Sequence, residues 1–194
     1  MSWKQFNQQT LFTPGMILLF VLIVFASEFL GFISPYLWVF AGAVGVLAGA
    51  APVMALAKKW QHFGVYALTT LVWIVIMALA GEVSGTSVIL FMIFVSLTAE
   101  LVRYLIGYQS KNGVLMSYAV FGLFPAASLI KLWIDPDFYY AGAIEELNSV
   151  EYADKLMTFN NPVGFFAFIA VTFVAGLCGV VLAEKIFKDK VTLE

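Results

Sequence analysis

Residues 16–57 read "MILLFVLIVFASEFLGFISPYLWVFAGAVGVLAGAAPVMALA", and the only charged side chain in the whole stretch is Glu28. A helix that crosses a bilayer needs about 20 predominantly apolar residues. The stretch therefore holds two such helices, parted by Ser34 and Pro35. Proline has no backbone N–H and pushes the residue before it towards extended geometry. The first helix is expected to end there and the second to begin at once. A pair of strands is excluded, because runs this long show no period-two alternation.

The rest of the chain follows the same rule. Of its 194 residues 62% are hydrophobic and 11% charged, where soluble domains run at about 45–50% apolar and about 25% charged. A soluble core of this size cannot hide so much apolar surface. The composition predicts an all-α membrane protein, a single domain over residues 1–194. Six transmembrane helices in one bundle are expected at about 16–33, 36–57, 63–81, 86–108, 114–134 and 163–187. The N-terminal "MSWKQFNQQTLFTPG" lacks a signal-peptide pattern, so the first span is expected to remain in the chain. No basic stripe points to nucleic acid. The lone Cys178, inside an apolar run, excludes a disulfide framework and a thiol metal site.

Charge sets the expected orientation. With six spans, Lys4, Lys58, Lys59, Arg103, Lys111, Lys185, Lys188 and Lys190 share the side of the termini, and only Lys131 and Lys155 fall opposite. By the positive-inside rule both termini are cytoplasmic, and the expected location is the plasma membrane. The outer side is acidic, carrying Glu82, Asp135, Asp137, Glu145, Glu146, Glu151 and Asp154.

Residues 135–162 form the one long extramembrane stretch. Within it "NSVEYADKLM" predicts a short outer helix between spans five and six, with Asn148 as N-cap and Glu151 completing a capping box. The stretch reads equally as a lid and as a simple cover. Small residues recur every fourth position at Ala41, Gly45 and Gly49, and at Ala175, Gly179 and Ala183. Such stripes let helices approach closely, within one bundle or against another membrane subunit.

Ionisable residues inside spans are costly and are site candidates by default. Glu28 lies near the outer end of span one, Lys131 near that of span five, and Glu82 in the glycine-flanked turn "AGEVSGTS". Lys131 fits ligand contact or snorkelling to the interface; Glu82 fits ligand contact or a solvated loop. Trp133 and Tyr139 stand near outer span ends and Trp73 deeper, suited to stacking on a flat ligand or to an aromatic belt and packing. Asn160 precedes the last span as a polar contact or a loop residue. Glu100 and Arg103, one turn apart near the cytoplasmic end of span four, are expected to pair and to support structure or a partner's docking. No metal site and no cofactor are expected. The single histidine, His62, falls in a cytoplasmic turn across the membrane from Ser84, which argues against an intramembrane protease. A stand-alone carrier or channel for a small solute is an alternative, although no inverted repeat marks a carrier.

Three stretches carry a family resemblance: "APVMALAKKWQHFG" after span two, "AELVRYLIGYQSKNGVLMSYAVFGLFP" across spans four and five, and "EYADKLM" before a glycine-containing last span. In this order they resemble the substrate-binding S components of energy-coupling factor (ECF) transporters, in particular the Trep_Strep or MptD-like subfamily. The resemblance implies a passive six-helix subunit that captures a small micronutrient, such as a vitamin, a nucleobase-like compound or a precursor, from outside. It implies a site between the helices under the outer loops. It also implies a membrane T component and two cytoplasmic ABC ATPases as partners, which would hydrolyse the ATP. The chain itself has no P-loop of the GxxxxGK[ST] kind. Many S components dock the T component through Ala-x-x-x-Ala on the first helix; here Ser27 and Gly31 are the nearest small pair.

Overall fold

A computed structural model describes the backbone of residues 3–79 and 85–187, and the side chains of residues 11–79 and 85–187. Every regular element among them is helical. The helices are α1 (Trp3–Glu28), α2 (Pro35–Ala48), α3 (Ala50–Lys59), α4 (Val65–Leu79), α5 (Thr86–Ile106), α6 (Lys111–Phe121), α7 (Lys131–Ile134), α8 (Pro136–Leu147), α9 (Val150–Met157) and α10 (Pro162–Ile186). Two 3-10 turns, Phe29–Phe32 and Phe124–Ala127, follow α1 and α6.

Among the described residues three stretches are long and apolar enough to cross a bilayer: Leu11–Phe32, Thr86–Ile106 and Pro162–Ile186. A fourth is the pair α2 and α3, bent by 42° where they meet. The sequence predicts one span over 36–57; Gly49 at the join and Pro52 just beyond explain the bend, because a proline cannot donate the helical bond and crowds the carbonyl four residues back. The junction between α1 and α2 is as tight as "SP" implies. The Ser34 hydroxyl accepts from Tyr36 N at 3.3 Å, and Pro35 occupies the first helical position, where its missing N–H costs nothing.

The expected helix over 114–134 is broken. It stops at Phe121, runs through turns and the 3-10 segment, and resumes only for Lys131–Ile134. Gly122 and Pro125 account for this. Pro125 cannot continue the ladder, and Gly122 lies so close to α2 that a Cβ there would come within 2.9 Å of Val46 Cγ1. The stretch from 135 holds two helices, α8 and α9, where one was expected. Asn148 is in the left-handed region (φ 49°) closing α8, a conformation asparagine tolerates well. The N-cap of α9 is Ser149, whose hydroxyl accepts from Tyr152 N at 3.2 Å. The N-cap is therefore one residue later than expected, and the expected capping box does not form, because Tyr152 and not Glu151 holds the third helical position.

The small-residue stripes are used inside the chain. A Cβ on Gly176 would stand 2.8 Å from Ala119 Cα, and one on Gly179 2.8 Å from Leu47 O, so α10 lies directly on α6 and α2. Gly45 meets α1 at Val24 and Ser27, and Gly49 meets the Phe20 ring. Buried hydroxyls add bonds between helices: Tyr118 to Val46 O at 2.6 Å, Tyr66 with Ser117 at 2.7 Å, and Thr70 with Ser96 at 2.9 Å. Such bonds matter where no water competes for the groups. Lys111 and Glu184 join the start of α6 to the end of α10 at 2.5 Å.

Candidate functional site

The ends of α1, α4 and α8, the start of α2 and α5, and the broken segment after α6 enclose a cavity of about 430 Å³. That volume lies in the range of small-molecule sites, about 300–1,000 Å³. Phe25, Glu28, Phe29 and Phe32 enter it from the first helix and its 3-10 turn, and Trp38 from α2. Trp73, Ile74 and Met77 come from α4, and Val88, Ile89 and Met92 from α5. Pro125, Ser128 and Leu129 belong to the broken segment, and Tyr139 and Glu146 to α8. Pro125, Ser128 and Leu129, spaced i, i+3 and i+4, present one face of the broken segment to the cavity.

Three of the sequence-predicted residues meet here: Glu28, Trp73 and Tyr139. Glu28 sits on the last turn of α1, partly buried, beside Gly42 and Pro125. A Cβ on Gly42 would come 3.0 Å from Pro125 Cβ and 3.8 Å from Glu28 Oε1, so this glycine lets Pro125 pack closely beside the carboxylate. Trp73 is 5% exposed and packs edge-on to Phe124 at 5.5 Å. Tyr139 accepts a hydrogen bond from Trp38 Nε1 at 2.6 Å, and burial raises its hydroxyl well above its ordinary pKa, so it stays neutral. Tyr152 of α9 donates to the carbonyl of Gly31, and burial pushes its hydroxyl up to about 12. These two tyrosines tether α8 and α9 to the junction of α1 and α2.

The remaining candidates lie elsewhere. The Lys131 ammonium stands over the Phe138 ring at 4.0 Å and does not line the cavity. Trp133 donates to Phe159 O at 2.9 Å and stacks on Phe168, a packing role. Asn160 is part of the turn into α10, where its N–H donates to Met157 O at 3.0 Å. Glu82 lies outside the described residues. The residues that sequence reading missed are Phe25, Phe29, Phe32, Trp38 and Glu146. Their signal was present but shared: phenylalanine is common throughout a membrane chain, a tryptophan near a span end suits an aromatic belt equally well, and Glu146 was one of many outer acids.

Glu100 and Arg103 are fully buried at the opposite end of the bundle, and they do not form the expected bonded pair. Glu100 Oε1 accepts from Tyr66 N at 2.7 Å, Gly64 N at 3.0 Å and Ala67 N at 3.5 Å, covering the start of α4. Arg103 Nη2 donates to Ala57 O and Trp60 O, each at 2.7 Å, closing the end of α3. The acid takes the orphan donors of one helix and the base the orphan carbonyls of another, each at the end its charge suits. Ser27 and Gly31 are likewise taken up inside the chain. Ser27 donates to Val24 O at 2.6 Å beneath Gly45, and Gly31 is buried against Trp38. Neither offers an exposed docking face.

The family model for Trep_Strep, described as a hypothetical bacterial integral membrane protein, matches residues 13–190. The chain belongs to that family. Neither the curated proteins nor the solved structures give a match.

Proposed function

We propose that this Trep_Strep chain is the substrate-capture S subunit of an ECF-type importer. It binds a small micronutrient from outside and passes it on through a membrane T component and two cytoplasmic ABC ATPases, which hydrolyse the ATP. The observation that carries the reading is the 430 Å³ cavity at one end of an apolar helical bundle, walled by aromatic rings and carrying two carboxylates. In this reading the bundle has six spans. The bent α2–α3 pair counts as one, and the broken run from α6 to α7 as another. The short α4 completes the set. Both termini are cytoplasmic, which puts the cavity on the outer side of the plasma membrane with α8 and α9 over it.

Two measurements test this. Tagged chain extracted from its own membranes in mild detergent co-purifies with a T component and two ATPases, and native mass spectrometry finds a small molecule bound. Chain reconstituted alone that carries solute across a liposome membrane overturns the assignment and favours a carrier. Orientation is tested in a Cys178→Ser background with cysteine placed singly at 145 and 58. An impermeant maleimide added to intact cells labels 145 and spares 58; the reverse pattern inverts the topology.

A further inference from the structure

We infer that the cavity takes an organic cation, a compact or flat apolar body bearing a protonated amine or a quaternary or ring nitrogen, with its charge held by Glu28 and Glu146. The inference rests on reading the cavity as the capture site and narrows what that site accepts.

The described wall carries two carboxylates and no lysine, arginine or histidine. Among the described residues no hydrogen bond or ion pair engages the Glu28 carboxylate, although it stands among Gly42, Pro125 and phenylalanine rings. A bare carboxylate in apolar surroundings is costly and gains most from a counter-charge brought close. An anionic ligand would instead meet two like charges. A neutral one brings no counter-charge, so that Glu28 would have to take up a proton instead. The rings point the same way. Phe29, Phe32, Trp38 and Trp73 face the cavity, and aromatic faces attract cations through their quadrupole. Two of the wall's hydrogen-bond donors are committed. Trp38 Nε1 is given to Tyr139 at 2.6 Å, and the Ser128 hydroxyl to Pro125 O at 3.1 Å. What the wall offers a ligand is carboxylate oxygens, negative ring faces and the uncharged O–H and N–H of Tyr139 and Trp73.

The test uses the full chain in lipid nanodiscs and three probes of similar size: benzyltrimethylammonium, its neutral carbon analogue 2,2-dimethylpropylbenzene, and 3-phenylpropionate. Tryptophan fluorescence reads binding, since Trp38 and Trp73 face the cavity. The cation is expected to give a saturable change and the other two none. Glu28→Gln should weaken cation binding by about 10- to 100-fold, the loss of one charge-assisted contact. Glu146→Gln, on the exposed face of α8, should weaken it too and keeps the test open if the Glu28 variant fails to fold. Glu145→Gln, which does not line the cavity, should change nothing. Saturable binding of the neutral or anionic probe as tight as that of the cation, or cation binding indifferent to both glutamates, overturns the inference and leaves the capture site standing. Failure of all three probes to bind overturns the cation inference. If in addition no small molecule co-purifies with the chain, the capture-site reading falls with it.

Discussion

The indole N–H of Trp38 donates to the hydroxyl of Tyr139 at 2.6 Å, across 101 positions of sequence. This bond ties the start of α2 to α8 and closes one side of the cavity. Tyr139→Phe keeps the ring and removes the acceptor. An unmade buried bond costs about 1–3 kcal/mol, so opening of α8 should become roughly 5- to 150-fold more frequent. Amide hydrogen exchange over residues 138–147 measures it. Protection equal to the parent chain would show that the bond does not hold the helix.

Glu100 and Arg103 should govern stability rather than ligand capture. Glu100→Gln leaves the amides of Gly64 and Tyr66 a weaker acceptor, and Arg103→Met strips two carbonyls of their donor. Each change should cost about 1–3 kcal/mol or more, read as a lower unfolding temperature and a lower yield. Folded protein that survives should bind benzyltrimethylammonium as the parent does. A selective loss of binding at full stability would place the pair in the ligand's path.

On α9, Lys155 and Glu151 lie 2.7 Å apart as an i,i+4 pair. The lysine holds the Glu151 carboxyl below its ordinary 4.5, and the glutamate holds Lys155 above its ordinary 10.5. A carboxyl depressed on folding lends stability above its unfolded value and loses it as pH falls through the folded one. A raised lysine lends stability below its unfolded value and loses it as pH rises through the folded one. The pair therefore supports α9 across the neutral range and fails at both extremes. An NMR titration should find the Glu151 midpoint below 4.5, returning towards it in Lys155→Met. An unchanged midpoint in that variant would mean that no pair forms.

Two glycines should respond in opposite senses. At Gly176 a side chain meets the backbone of Ala119, so Gly176→Leu should destabilise by about 1–3 kcal/mol or prevent folding. Around Gly142 on α8 nothing lies within 4 Å of a Cβ, and Gly142→Ala should stabilise its helix by up to about 1 kcal/mol. Thermal unfolding of the two variants in one detergent compares them directly; a Gly176→Leu protein as stable as Gly142→Ala would refute the close contact of α10 with α6.

Apolar length made the helical class and most helix positions legible in the sequence. The interruptions were not, although their letters were in plain view. Pro52 and Pro125 sit in runs whose hydropathy favours one continuous helix, and only packing decides whether a proline bends or stops it. Glu28 was legible because a short carboxylate inside a span has no bland explanation. Glu146 was hidden among acids that face water. Depth along the chain left Lys131 open between ligand contact and snorkelling, and only the fold shows its ammonium over the Phe138 ring. The error at Glu100 and Arg103 was one of partner. Spacing brings the two onto one face, but charge near two exposed helix ends finds backbone before it finds another side chain.

The turn joining α3 to α4 shows what that preference entails. Both charges grip main chain, so the turn is recognised by its contour and not by its spelling. Gln61, His62 and Phe63 are exposed and can change freely, while Gly64, at φ +126°, cannot. A deletion of one residue there would keep every important letter and still carry the amides of Gly64 and Tyr66 away from Glu100. Among related chains this turn should drift in wording and hold its length.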